Sequence, residues 1–201
     1  MPTTYTDVDR LLLERWNDTR GLLEAYEELQ DRMHDVIGEV GERLSEWAQP
    51  QGYIVDTEAK TPAFSAYRST WLSRRRDTPL VFLQLANFAP IGYRRVKESH
   101  PDLWVYTENL QILRLKEPER VQFSRDLRAQ LGDAVAEWKH DDSNDADYPL
   151  GKELSAVSDT DRIRLVSEPE KLFAFATDAL TSAFVLSEAI EKTIFAAKSR
   201  E

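Results

Sequence analysis

The chain has no cysteine. Disulfides, a thiol nucleophile and a thiolate zinc site are therefore excluded, and the expected location is cytoplasmic. Histidine is scarce. His34, His100 and His140 stand far apart, without the H-x-x-x-H spacing of a helical metal site. The seven glycines are scattered, so there is neither a phosphate-cradling loop nor a G-x-S-x-G elbow. No apolar run approaches the roughly 20 residues that cross a bilayer. The first residues lack the basic-then-apolar pattern of a signal peptide. Neither a cofactor nor a membrane partner is expected, and no repeat of fixed period is present.

Acidic residues dominate, and the 201 residues carry a net charge of −10. The distribution is uneven. Residues 1–58 contain 5 basic and 14 acidic side chains, whereas residues 59–97 contain 8 basic and 1 acidic. The acidic majority argues against general polyanion binding, and the basic minority allows a local anion site.

The length suits one domain with a substantial core. Residues 1–49 read as N-terminal helices, 52–116 as a β-meander, and 117–201 as C-terminal helices with an acidic loop at 140–153. Thr6 is an expected N-cap, with Asp7 and Asp9 in the first turn. Over 19–48, Leu22, Tyr26, Leu29, Met33, Val36, Val40, Leu44 and Trp47 recur every three or four residues, which is one helix face. The spacing approaches a heptad and allows a coiled-coil dimer. Packing of this helix on its own sheet and on the C-terminal helix is the default. Pro118 starts another helix. Residues 161–166 read as a short strand. A capping box at Ser167 and Glu170 then opens one long helix to about residue 198.

The strands are expected at 53–60, 64–72, 80–88 and 103–107, with a fifth at 110–115. The run Leu80 to Phe88 is apolar almost throughout, which suggests burial on both faces and a central position. Short connections favour an antiparallel meander. The fold class is α+β: a four- or five-stranded, mainly antiparallel sheet, with long N- and C-terminal helices packed on one face.

Two constellations carry chemistry. Asp56, Glu58 and Lys60 share one strand face at a spacing of two. Two carboxylates suit Mg²⁺, and a lysine beside them suits a developing negative charge. Glu58-Ala59-Lys60 resembles the E-x-K half-motif of the PD-(D/E)XK nuclease superfamily, which implies a helix-flanked sheet and metal-dependent cleavage. That family also places an acidic residue on the preceding strand. Here the preceding segment reads as helix, and Pro50 is followed by Gln51. The other reading of the same face has Asp56 and Glu58 balanced by Lys60 or a neighbouring arginine, with no metal site.

The second constellation interleaves Tyr67, Trp71 and Tyr93 with Arg68, Arg74, Arg75, Arg76, Arg94, Arg95 and Lys97. Aromatic faces with arginines suit single-stranded nucleic acid, and equally an acidic protein surface, including the Glu-rich helix of a second copy; Tyr67 and Trp71, at i and i+4 on one strand face, also suit a core. The sequence is therefore read as a non-enzymatic interaction or accessory module that binds an anionic partner. A protein partner or homo-oligomer comes first and nucleic acid second. The alternatives are the nuclease and a structural homo-oligomer built on the long helices.

Overall fold

The computed structural model describes residues 6–58, 62–73, 77–89, 101–139, 146–154 and 159–198. Five strands form one antiparallel sheet in sequence order: β1 (Ile54–Glu58), β2 (Ala63–Tyr67), β3 (Phe82–Ala86), β4 (Asp102–Tyr106) and β5 (Leu150–Glu153). The helices are α1 (Asp7–Glu14), α2 (Trp16–Ala48), α3 (Glu117–Leu131), α4 (Asp159–Ser167), α5 (Pro169–Phe184) and α6 (Ser187–Lys198). The fold is α+β, as the sequence indicates.

Alternation along each strand sorts the side chains into two faces. Val55, Phe64, Ala66, Leu83, Leu85, Leu103, Val105 and Leu150 are buried in one core with residues of α2, α5 and α6. They are paired across the sheet, Val55 with Ala66, Phe64 with Leu85, Leu83 with Val105, and Val105 with Leu150. The opposite face is more open. β3 is central, but it is buried on one face only. Leu83 and Leu85 are fully covered, whereas Phe82, Gln84 and Ala86 are half-buried.

Several elements differ from the sequence reading. Residues 69–71 leave the second strand and form a 3-10 turn. Residues 110–115 are not a strand; Glu108–Leu113 is 3-10 helix. The fifth strand comes instead from Leu150–Glu153, at the end of what read as a loop. Residues 161–166 are helical within α4, where Arg162 and Val166, four apart, are both buried. The C-terminal helix is two helices bent by 54°. At the bend the Tyr53 hydroxyl donates to the Phe184 carbonyl at 3.4 Å and shares a hydrogen bond with Ser187 Oγ. Tyr53 also stacks on Phe184, with ring centroids 3.6 Å apart. Among the described residues, no single helix is long and apolar enough to cross a membrane.

The Thr6 cap forms as expected, in a reciprocal capping box with Asp9. The Ser167 box does not. The Ser167 hydroxyl donates to the Arg164 carbonyl at 3.0 Å. Glu170 instead accepts two bonds from the Arg43 guanidinium, at 3.0 and 2.8 Å, which ties α5 to α2. Arg43 also lies 4.5 Å from the Phe173 ring centroid, and it holds the Glu170 carboxyl below its ordinary value.

α2 seats on the sheet through Met33, Ile37, Val40, Leu44 and Ala48, all buried. Gly41 lies against β1: a Cβ there would stand 2.8 Å from Thr57 Cβ, closer than real carbon contacts come. Gly38, one turn earlier, has nothing within 4 Å of a built Cβ. Alanine gains about 1 kcal/mol over glycine in a helix interior, and overpacking costs about 1–3 kcal/mol. Gly38→Ala is therefore expected to stabilise the protein and Gly41→Ala to destabilise it. Urea denaturation of the two variants checks the sign, and equal gains would mean that α2 does not seat on β1 at Gly41.

Candidate functional site

The buried face of α2 begins at Met33; no described residue before it is buried. The periodic stripe nevertheless continues upstream through Leu29, Tyr26, Leu23 and Leu22, which are 40, 51, 50 and 73% exposed. α1 adds Val8, Leu11, Leu12 and Leu13, and Trp16 opens α2; all five are also exposed. α1 and the first half of α2 thus form an arm, kinked at Arg15, that holds nine of the thirteen large hydrophobic residues exposed among the described residues. Leu12, Leu13, Trp16, Leu22 and Leu23 line one shallow apolar hollow along it. The arm's polar face is held by local pairs four residues apart, Arg20 with Glu24 at 2.7 Å and Arg32 with Glu28 at 3.5 Å.

Asp56 and Glu58 lie exposed on the open face of β1. Lys60 lies outside the described residues. Among the described residues, the partner of Asp56 is the Tyr67 phenol and not a cation. The Tyr67 hydroxyl hydrogen-bonds it from β2, and burial together with this bond pushes the Tyr67 phenol up to about 12. β1 is preceded by α2, so the acidic residue that a nuclease of the resembled superfamily carries on the preceding strand has no counterpart there. Among the described residues, no three histidine or carboxylate side chains are grouped to hold a metal ion.

Three of the ten residues assigned to the basic–aromatic surface are described. Trp71 is fully buried, which takes it out of the binding surface and into the core, the second of its two readings. The 3-10 turn swings its indole inward, edge-on to Tyr53 at 6.3 Å. Tyr67 is also buried, with its hydroxyl spent on Asp56. Arg68 is half-buried. Its guanidinium covers the Tyr53 ring at 4.9 Å and pairs with Glu191 of α6 at 3.5 Å, so it joins strand to helix. Arg74, Arg75, Arg76, Tyr93, Arg94, Arg95 and Lys97 lie outside the described residues.

The open face of the sheet instead presents aromatic residues that the sequence reading passed over. Phe82 and Tyr106, register partners on β3 and β4, stack at 4.5 Å. Tyr148 stands edge-on to Tyr106 at 5.0 Å and to Trp104 at 5.6 Å. The Trp104 indole lies across Gly151 of β5, where a Cβ would stand 2.6 Å from the ring's Cη2 and closer still to two other ring carbons, so glycine is required there. Burial, then a hydrogen bond donated to Glu108, raises the Tyr106 phenol. Asp102 accepts from the Asn87 amide at 3.0 Å, and burial raises its carboxyl against the hydrogen bonds from Trp104 and Asn87. The available sequence signal was the alternation Phe82-x-Gln84-x-Ala86 facing Trp104-x-Tyr106.

No protein-family model, curated protein or solved structure matches the chain.

Proposed function

We propose that the protein is a non-enzymatic interaction module that works as a pair, two copies joined through their N-terminal arms. The observation that carries this reading is the uncovered stripe from Leu22 to Leu29, which continues the face that packs on the sheet from Met33 onward. A helix stripe of this length in water is costly, and only packing on another apolar surface removes the cost. The nine exposed side chains, at on the order of 100 Å² each, offer roughly 900 Å² per copy, close to the roughly 800 Å² per partner of a stable interface. A single chain seldom leaves this much apolar surface in water along one arm.

Charge supports a second copy lying antiparallel. Residues 7–20 carry 3 basic and 4 acidic side chains, and residues 21–35 carry 1 arginine and 5 acidic side chains. A parallel pair sets Glu24, Glu27, Glu28 and Asp31 beside their own copies. An antiparallel pair sets them beside Arg10, Arg15 and Arg20, which lowers the repulsion.

Sedimentation equilibrium tests the pairing. The 23.2 kDa chain is expected to run at twice its mass. Leu22→Glu with Tyr26→Glu should return it to monomer, raising Kd by at least about a hundredfold, with an unchanged circular dichroism spectrum. Because the natural chain has no cysteine, Arg10→Cys reads the orientation: a parallel pair crosslinks at that position and an antiparallel pair does not. A wild-type chain that stays monomeric at about 100 μM, a concentration that holds even weak pairs together, overturns the reading.

A further inference from the structure

The open face of the sheet carries one cleft that the arm does not touch. Its volume is about 430 Å³, within the usual range of small-ligand sites. Phe82, Tyr106 and Tyr148 form its aromatic wall, and the exposed Glu58 carboxylate stands at its rim. Among the described residues, no lysine or arginine lines it. Two carboxylates are bonded to its lining side chains, Glu108 accepting from Tyr106 and Asp102 from Asn87, while the Arg162 guanidinium donates to the Asn87 backbone carbonyl at 3.3 Å.

Several lining side chains donate inward. The Gln84 amide nitrogen donates to Ser65 Oγ at 3.4 Å, that of Asn109 to the Pro79 carbonyl at 2.8 Å, and that of Asn87 to Asp102 at 3.0 Å. The Tyr106 hydroxyl donates to Glu108. Each amide thus commits one of its two N–H donors inside the protein, while the amide oxygens, the ring faces and the Glu58 carboxylate line the cleft. An aromatic wall with a carboxylate at its rim, and no lysine or arginine among the described lining residues, suits a cation that also donates hydrogen bonds. The guanidinium is such a group, with five N–H donors, no acceptor and a fixed positive charge. Its flat face also stacks on aromatic rings, whose faces are negative.

We propose that this cleft binds an arginine side chain presented by an extended basic segment of a partner protein. The guanidinium stacks on the Phe82, Tyr106 and Tyr148 wall, pairs with Glu58, and donates to the Gln84 and Asn109 oxygens. An anion is repelled by Glu58, and a neutral sugar gains neither the ion pair nor the cation–π contact.

The test compares short peptides by titration into the full chain, followed by nuclear magnetic resonance of the side-chain amides. One peptide carries two arginines, and its twin carries citrulline, which has the same shape without the charge. The arginine peptide is expected to bind saturably and to shift the Gln84 and Asn109 signals, with the citrulline twin at least about tenfold weaker. Glu58→Gln, at an exposed position that the fold does not need, should weaken binding about three- to tenfold, and Tyr148→Leu should weaken it further. Equal binding of the two peptides overturns the proposal, as does the lack of saturation at about 10 mM peptide. Arginine-peptide binding indifferent to both substitutions also overturns it, because that marks a basic peptide adhering to an acidic protein.

Discussion

Trp71→Ala is expected to lower stability by about 3–5 kcal/mol, the range for a large aromatic removed from a packed core, and Trp71→Phe by much less. The residue is fully buried. Its backbone is fixed as well: the Trp71 amide donates to the Arg68 carbonyl and the Leu80 amide donates to the Trp71 carbonyl, both at 2.9 Å. With Tyr53 edge-on to the indole and itself stacked on Phe184, the neighbours have little freedom to collapse into the hole. Phenylalanine keeps much of the volume. It also removes the indole Nε1–H, which is buried with no hydrogen-bond partner among the described residues; a buried donor left so costs about 1–3 kcal/mol. That gain offsets much of the lost volume. Guanidinium denaturation of the two variants measures both numbers. A loss below about 1 kcal/mol for Trp71→Ala, far under the core range, would restore Trp71 to the surface and with it the stacking platform read from the sequence.

The same residue shows where sequence periodicity stops being informative. Tyr67 and Trp71 stand four apart and share a face if the strand runs through both. The strand ends at Tyr67, and one 3-10 turn changes the direction of Trp71 without any change of composition. Four of the five strands were legible because alternation and breakers agree: Pro62 and the segment before Pro79 bound β2 and β3. β5 was not. Leu150-Gly151-Lys152-Glu153 has one large apolar residue and a glycine, and its strand character comes from outside the segment. β4 supplies the hydrogen bonds, and the Trp104 ring needs the space over Gly151. α4 was misread for the converse reason. Its alternation is real, but Arg162 and Val166 are buried together at helical spacing, with the Arg162 guanidinium donating to the Asn87 carbonyl at 3.3 Å.

The aromatic cleft was hidden by the density of apolar residues in β3. An unbroken run reads as burial on both sides, yet only the face toward α5 is closed. Tyr148 joins the cleft from a segment that composition marks as loop. What the sequence did carry was the acidic character: the basic residues cluster at 59–97, but none of them lines the described part of the cleft. Charge sign along the chain and charge sign across a surface are different quantities, because pairing across strands decides which residues meet.

Leu186→Ala is expected to cost about 2–5 kcal/mol, as for buried leucines generally, whereas Leu29→Ala should cost the single chain far less. The helix stripes alone give the two residues equal weight. The structure separates them: Leu186 is fully buried and Leu29 is 40% exposed. Leu186 sits at the bend between α5 and α6. Its amide donates to the Ala183 carbonyl at 2.9 Å, and its carbonyl accepts from Ile190 at 3.0 Å. Tyr53, stacked on Phe184 and bonded to Ser187, closes the same bend. A cavity there has rigid walls, which places the loss in the upper part of the range. Leu29 lies on the arm, before the first buried residue of α2, so in a separate chain its truncation removes little burial. In the proposed pair it removes interface burial instead, and mass action makes that loss depend on protein concentration. Denaturation at two protein concentrations, far above and far below the Kd of the pair, distinguishes the cases. Leu186→Ala should lower the midpoint equally at both, and Leu29→Ala only at the higher. If Leu29→Ala were as costly as Leu186→Ala at every dilution, the arm would be packed on its own chain and the pair would lose the surface that joins it.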